Sequence, residues 1–318
     1  MGYMTMPADM ERIEQQIAPV VLLVYNRPKL LGQLLELLRT IRPGTVLVVA
    51  DGPRSDMPGD KEACAEVRAL IEKGINWNPR VLAEYAETNL GLRQRVASGL
   101  TWAFQQVERA IILEDDCLPH PSFFQFCTEM LERYEGDDRI SAISGDNFQE
   151  AGFDCGASYY FSRYPHCWGW ASWRRAWQSY DDVMTDWPRL RESGWLEDFL
   201  PERSALLWKT NFDGAYDRTI PTWYYPWAYA CWRQSLISAL PAVNLVKNVG
   251  FGMDATNCRK ADSRLANRDV AEMKFPLVHP AKAAINETAD RYYQRQYERP
   301  RHWRKGLRLW WHNFRHSH

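Results

Sequence analysis

The 318-residue chain has no surplus of either charge: Lys and Arg number 39, Asp and Glu 40, and the net charge is -1. A protein that coats nucleic acid needs a basic face, so nucleic acid is not an expected partner. No apolar run reaches the roughly 20 residues that cross a bilayer. The stretch from Met1 to Gln16 is polar and acidic, without the basic start and apolar middle of a secretion signal, so a cytoplasmic location is expected. Cysteine is sparse and unpatterned. The seven thiols, at 64, 117, 127, 155, 167, 231 and 258, form no C-x-x-C pair, which argues against a zinc site or disulfide frame and for scattered reduced cysteines. Also missing are the P-loop string G-x-x-x-x-G-K-S/T, the dinucleotide string G-x-G-x-x-G, the G-x-S-x-G elbow and H-E-x-x-H.

Hydrophobic residues make up 46% and charged residues 25%, the balance of a globular protein with a sizeable core. The first 150 residues alternate short apolar runs with helical patterns. Val20–Val24, Val46–Ala50, Val81–Tyr85, Ala110–Leu113 and Ile140–Ile143 read as strands. Between them, Pro28 opens a leucine-rich helix, and Lys61–Lys73, Gly91–Val107 and Pro121–Tyr134 read as three more. Strands alternating with helices predict an α/β protein with a mostly parallel, Rossmann-like sheet flanked by helices.

Ligands of such sheets bind beyond the carboxyl ends of the strands. The residues at those exits are polar: Asn26-Arg27, Asp51-Gly52, Glu114-Asp115-Asp116 and Ser144-Gly145-Asp146. Three adjacent carboxylates at a strand end repel one another, and a hard divalent cation shared with phosphate oxygens relieves that repulsion. An exposed acidic turn is the plainer alternative. Asn89-Leu90-Gly91-Leu92-Arg93 opens a helix near the same edge, where free N–H groups and a guanidinium suit a diphosphate, although a simple turn glycine and a surface charge explain it equally well.

From about Gln149 the alternation gives way to aromatics. Six of the ten residues from Trp223 to Trp232 are aromatic, and nine of the 22 from Tyr159 to Tyr180. Trp173 and Trp177 stand one helical turn apart, so part of this is core packing. The remaining rings suit a pocket for a flat, polar-edged ligand.

The strings V-Y-N-R-P, A-D-G, N-x-G-L-R and I-L-E-D-D-C-L-P, followed by C-W-G-W-A-S-W-R-R-A-W, Pro226–Trp232 and N-V-G-F-G-M-D-A-T, resemble GT-A fold nucleotide-sugar glycosyltransferases over about residues 18–280. The bacterial branch they look like is similar in layout to the metal-dependent N-acetylglucosaminyltransferase that starts complex N-glycans. The resemblance implies a nucleotide-sugar-binding half (18–150), an acceptor-binding and catalytic half (151–285) and a C-terminal helical tail (286–318). It implies Mn²⁺ or Mg²⁺ on Asp116, Arg27 and Asp51 at the base of a UDP-type donor, Asp115 near the ribose, Glu114 near the donor sugar, and Arg93 facing the nucleotide. Asn26 and Asn89 complete the donor edge. Gly250 to Asn257, including Gly252, would close over the diphosphate, and Trp168, Trp170, Trp223, Tyr224 and Trp227 would shape the acceptor side.

Two departures from that pattern stand out. Trp223-Tyr224-Tyr225-Pro226-Trp227 replaces an expected W-D-Y-x-W, and Asp254-Ala255-Thr256-Asn257 replaces D-A-T-H, with His279 a candidate substitute. With position 224 not acidic, Asp213 is the first choice of catalytic base and Asp254 the second. The expected reaction is transfer of a hexosyl or N-acetylhexosaminyl group, with inversion, to a glycan or lipid-linked acceptor in bacterial polysaccharide or glycoconjugate synthesis. A sugar-1-phosphate nucleotidyltransferase and a degenerate, non-catalytic carbohydrate-binding relative are the alternatives. Finally, Trp303, Leu307, Trp310, Trp311 and Phe314 fall at helical spacing among basic residues, the pattern of an interfacial helix. It reads equally as a peripheral anchor on the anionic inner face of the cytoplasmic membrane and as a helix docked on its own domain.

Overall fold

A computed structural model describes residues 17–250 and 268–298. In chain order the elements begin β1 (Val20–Val24), α1 (Pro28–Ile41), β2 (Thr45–Ala50), α2 (Asp60–Gly74), β3 (Arg80–Tyr85), α3 (Leu92–Gln106), β4 (Arg109–Glu114), β5 (Cys117–Pro119), α4 (Ser122–Arg133) and β6 (Ile140–Ser144). The second half adds β7 (Tyr159–Ser162), β8 (Trp170–Trp173), α5 (Arg174–Trp177), α6 (Trp187–Glu192), α7 (Glu202–Tyr216), α8 (Tyr224–Arg233), β9 (Ile237–Pro241), β10 (Val246–Asn248) and α9 (Glu287–Tyr297). All five strands and all four helices expected in the first 150 residues are present. The fold is α/β, as the alternation predicts.

One eight-stranded sheet, in the order β3-β2-β1-β4-β8-β6-β9-β7, forms the frame. All its strands run one way except β8 and β7, which pair antiparallel with their neighbours. Helices cover both faces, so β1 is buried at every position. Its alternate residues enter two cores: Val20, Leu22 and Val24 one, Val21 and Leu23 the other. Helix α1 shows how local sequence sets an element. Pro28 supplies the fixed φ of a first turn. Leu31, Leu34, Leu35 and Leu38 form its buried stripe, and Arg42 ends it in the left-handed region (φ 52) with its N–H on the Leu38 carbonyl.

Strand β8 has no signature in the sequence. It lies between β4 and β6, pairing Trp170 with Ile112 on one side and with Ser144 on the other. The two halves of the chain therefore share a single sheet. Strand register then brings the exits of β1, β2, β4 and β6, together with the start of β8, to one edge, since Val24 is level with Ala50 and Leu23 with Glu114.

A second, two-stranded sheet crosses this edge, with Asn248 of β10 opposite Cys117 of β5. It passes where two glycines leave room. A Cβ on Gly145 or on Gly169 (φ +61) would sit 2.5 or 2.8 Å from a methyl of Val246.

Among the described residues, no helix is long and apolar enough to cross a membrane. Their six cysteines form no disulfide. Cys258 and the amphipathic 301–316 segment lie outside the described residues.

Candidate active site

Glu114 ends β4, and Asp115-Asp116 forms the two-residue step to β5. The Arg27 Nη1, from the exit of β1, donates to Asp115 Oδ1 at 3.2 Å and to Asp116 Oδ2 at 2.8 Å. One guanidinium thus faces three carboxylates. Burial and the charges of Asp116 and Asp115 push Glu114 up to about 8, against the smaller pull of Arg27. Burial raises Asp115 to about 7; Arg27 opposes the shift and Asp116 adds to it. Among the described residues, the group of carboxylates is short of positive charge.

The crossing strand meets this group. The Val249 N–H donates to the Asp116 carbonyl at 2.8 Å. A Cβ on Gly250 would lie 2.1 Å from Asp116 Oδ2, so only glycine passes the carboxylate here. Gly250 is thereby placed against Asp116, which the sequence did not predict. Gly252, Asp254 and Asn257 lie outside the described residues.

Three donor-side residues carry contacts within the protein that the sequence does not announce. Asp51 accepts four hydrogen bonds: Oδ1 from the N–H groups of Gly52 (2.8 Å) and Leu90 (2.9 Å), Oδ2 from the Gly91 N–H (3.1 Å) and Asn89 Nδ2 (3.0 Å). A carboxylate offers about four lone-pair sites, so Asp51 with Asn89 is a clasp that ties the exit of β2 to the start of α3. Its acceptors are committed within the protein, and contact with a nucleotide base requires one to be released. Asp51→Ala should therefore lower stability by about 2–4 kcal/mol, on the scale of charged hydrogen bonds. Urea denaturation checks this, and an unchanged midpoint would reject the clasp.

Arg93 is buried, with Nε on Asp182 Oδ1 (2.8 Å), Nη1 on the Ala215 carbonyl (2.6 Å) and Nη2 on the Asp182 carbonyl. Its three nitrogens anchor the 182 loop and the end of α7, so these contacts within the protein hold the guanidinium expected to face the nucleotide. Asn26 belongs to a neighbouring group around Asp60, which sequence reading missed. Asp60, the first residue of α2, is buried and accepts from the Tyr25 hydroxyl, from Asn26 Nδ2 and, at 2.7 Å, from the Arg54 N–H. Burial alone would raise Asp60, but these bonds and the Arg54 charge hold it below the usual carboxylate range.

On the acceptor side the rings divide. Trp170, Trp223 and Trp227 are buried and pack on one another with centroids 5.6–5.7 Å from Trp170, so they are core rather than pocket wall. Trp168 is half-buried, edge-on to Phe148, with its N–H directed at Asp146 Oδ2 (3.3 Å). Tyr224 begins α8; burial keeps its phenol protonated far above its usual range, with Tyr293, Cys167, Tyr225 and Asp146 as its charged or ionisable neighbours. Asp213 on α7 accepts from Trp187 Nε1 (3.0 Å) and lies 3.5 Å from Arg191, contacts that explain it as a helix brace. His279 lies 3.0 Å from the Tyr159 hydroxyl on β7. That is four strands from β4, about 19 Å across the sheet.

The second unanticipated group is Asp146 with His166. Imidazole Nδ1 lies 2.6 Å from Asp146 Oδ1, and the Ser144 hydroxyl donates to the His166 carbonyl at 3.0 Å. The sequence shows Asp146 as a strand exit, but not its partner 20 residues on.

A cavity of about 150 Å³ opens at the start of α3, lined in part by Gly91, Arg93 and Arg218. It is smaller than a nucleoside diphosphate needs. A groove of about 470 Å³ between Phe104, Arg174 and Tyr180 lies at the opposite, amino-terminal end of β4.

No protein-family model matches the chain, and no curated protein sequence does. Among solved structures it is similar to HddC from Yersinia pseudotuberculosis complexed with GMP-PN, with a TM-score of 0.31 and 12% identity over 50% of this chain and 78% of that one. It is also similar to glucosyl-3-phosphoglycerate synthase from Mycobacterium tuberculosis in complex with Mn²⁺, UDP-glucose and phosphoglyceric acid (TM-score 0.29, 12% identity, 55% of this chain and 66% of that one). A third likeness is to a UDP-glucose pyrophosphorylase complexed with UDP-glucose (TM-score 0.35, 10% identity, 70% and 90%). None of these likenesses assigns a reaction.

Proposed function

We propose that the protein is a divalent-metal-dependent glycosyltransferase of GT-A type that moves a sugar from a nucleoside diphosphate, with UDP the first choice, to an acceptor hydroxyl with inversion. The observation that carries this reading is the carboxylate group at the exit of β4: three acids, one opposing guanidinium, and a glycine strand held against Asp116.

The group fits a hard cation. Its donors are all oxygen, and its raised acids mark a place where added positive charge is favourable. Among the described residues no three His, Cys, Asp or Glu side chains converge as a complete ligand set. Mg²⁺ and Mn²⁺ commonly bind through one or two carboxylates together with phosphate oxygens and water, and Asp116 is the carboxylate proposed for that place. When bound, the ion supplies neutralising charge for a departing diphosphate. Arg27 adds a second positive charge at the same edge, and Glu114 and Asp115 supply acceptors for sugar and ribose hydroxyls.

UDP and Mn²⁺ together, but neither alone, should raise the melting temperature. A ligand at 100 times its Kd adds about 2.7 kcal/mol, a shift of several degrees. Equal shifts with and without chelator would remove the metal from the reading. Absence of a shift with UDP, GDP and dTDP alike would reject the donor class. Pyrophosphate formation from a nucleoside triphosphate and a sugar 1-phosphate would instead identify a nucleotidyltransferase.

A further inference from the structure

On the glycosyltransferase reading, the reaction needs a base for the acceptor hydroxyl, and the carboxylate group at β4 is committed to the donor. We propose that His166, oriented by Asp146, is that base.

The dyad has the organisation of a positioned general base. Asp146 is 1% exposed and His166 5% exposed, and their 2.6 Å contact through Nδ1 fixes the ring. With Nδ1 carrying the proton toward the carboxylate, Nε2 holds the free lone pair, which is the tautomer a base requires. Phe148 and Tyr293 flank the imidazole with centroids at 4.7 and 5.0 Å, so it cannot swing away. Yet Nε2 itself is buried without a hydrogen-bond partner among the described residues. A buried polar atom left unpaired is costly, so this nitrogen is one that a ligand's hydroxyl would satisfy.

Placement supports the same assignment. Asp146 follows β6, and Trp168 precedes β8, whose partners are β4 and β6. The dyad thus stands two strand spacings, about 10 Å, along the same edge from the carboxylates. Among the other ionisable groups near it, burial holds the phenols of Tyr164, Tyr224 and Tyr293 protonated, and Glu298 accepts from Trp208 Nε1 at 2.6 Å through Oε1, its Oε2 having no partner among the described residues. Cys167 is the remaining neighbour, a thiol in no disulfide.

The step balances without a further reactant. The acceptor O–H gives its proton to Nε2 as its oxygen bonds to the anomeric carbon. The bond from that carbon to the diphosphate breaks, its electron pair leaves with the nucleotide, and the imidazolium returns the proton to solvent.

The test uses the full chain, Mn²⁺, UDP for binding and UDP-glucose for turnover with water as acceptor. His166→Asn keeps a donor for Asp146 but deletes the Nε2 lone pair, which separates base from brace. UDP affinity by calorimetry should stay within about threefold, while turnover falls roughly 10² to 10⁴-fold. Exogenous imidazole should partly restore turnover in His166→Gly. Imidazole ¹⁵N spectra should show Nδ1–H in the wild type and a loss of that tautomer in Asp146→Asn. Turnover in His166→Asn within threefold of wild type overturns the proposal, as does a loss that tracks falling UDP affinity or melting temperature. A wild type that binds UDP with Mn²⁺ but cleaves no UDP-sugar also overturns it. A wild type that binds no UDP fails the underlying reading, and calorimetry registers that separately.

Discussion

Asp116→Ala is expected to abolish sugar transfer and Mn²⁺-dependent UDP binding while leaving the fold intact. The carboxylate sits on a two-residue step between strands, with Arg27 and Gly250 beside it and the Cys117 thiol donating weakly to its Oδ1 at 3.7 Å. Its removal takes one of three crowded charges away, so the melting temperature should hold or rise. Arg27 keeps its contact with Asp115. Activity should fall by at least about 10³-fold, since single groups that stabilise transition-state charge already account for 10² to 10³. Asp116→Asn, nearly the same shape, should fail as completely, which assigns the loss to charge. Metal-dependent UDP binding in either variant at wild-type strength would end the assignment of this residue.

The protein without added metal should be more stable at pH 5.5 than at pH 8.5. Glu114 and Asp115 lie at about 8 and 7 in the folded chain, against ordinary values of 4.5 and 3.8. Between these limits the folded state binds more protons than the unfolded state, so stability is greatest at the acid end and falls as pH rises toward 8. A tenfold change in a proton-binding constant corresponds to about 1.4 kcal/mol, and the two acids interact, so the loss across this window amounts to a few kcal/mol. Asp60 and Asp182, held low by their partners, contribute stability that is lost only in more acidic solution and do not oppose the trend in this window. Glu114→Gln removes an ionisation that the fold disfavours. It should flatten the profile and raise the midpoint of urea denaturation at pH 8.5. Stability that climbs from pH 5.5 to 8.5 would contradict this electrostatic picture.

The sheet edge is legible in the sequence where chemistry is local. Glu114-Asp115-Asp116 announces itself because four apolar residues precede it, and β1 and β2 because Val20–Val24 and Val46–Ala50 are apolar throughout. Other features depend on distant partners. Arg93 looks like a surface cation until Asp182, 89 positions away, and the Ala215 carbonyl claim it. His166 looks like one more ring in an aromatic stretch until Asp146 folds against it. Strand β8 is hidden for a different reason: Trp-Ala-Ser-Trp does not alternate, and its last tryptophan pairs with Trp177 at helical spacing. Its extended form is imposed by the open edges of β4 and β6 rather than by its own pattern. The buried acceptor-side rings read as pocket wall because sequence cannot say which face of a tryptophan is covered.

The late arrival of β8 bears on how the chain is made. A ribosome that has released residues up to 150 has delivered β4 and β6 but not the strand that joins them, which begins at Trp170. Until then each of those strands has a bare side, open to pairing with another chain. The carboxylates and the dyad are held in one frame only after that gap is filled from downstream. A fragment cut near residue 150 should therefore collect in inclusion bodies, and folding should be slow for a chain this rich in helices, since its closing contacts are long-range.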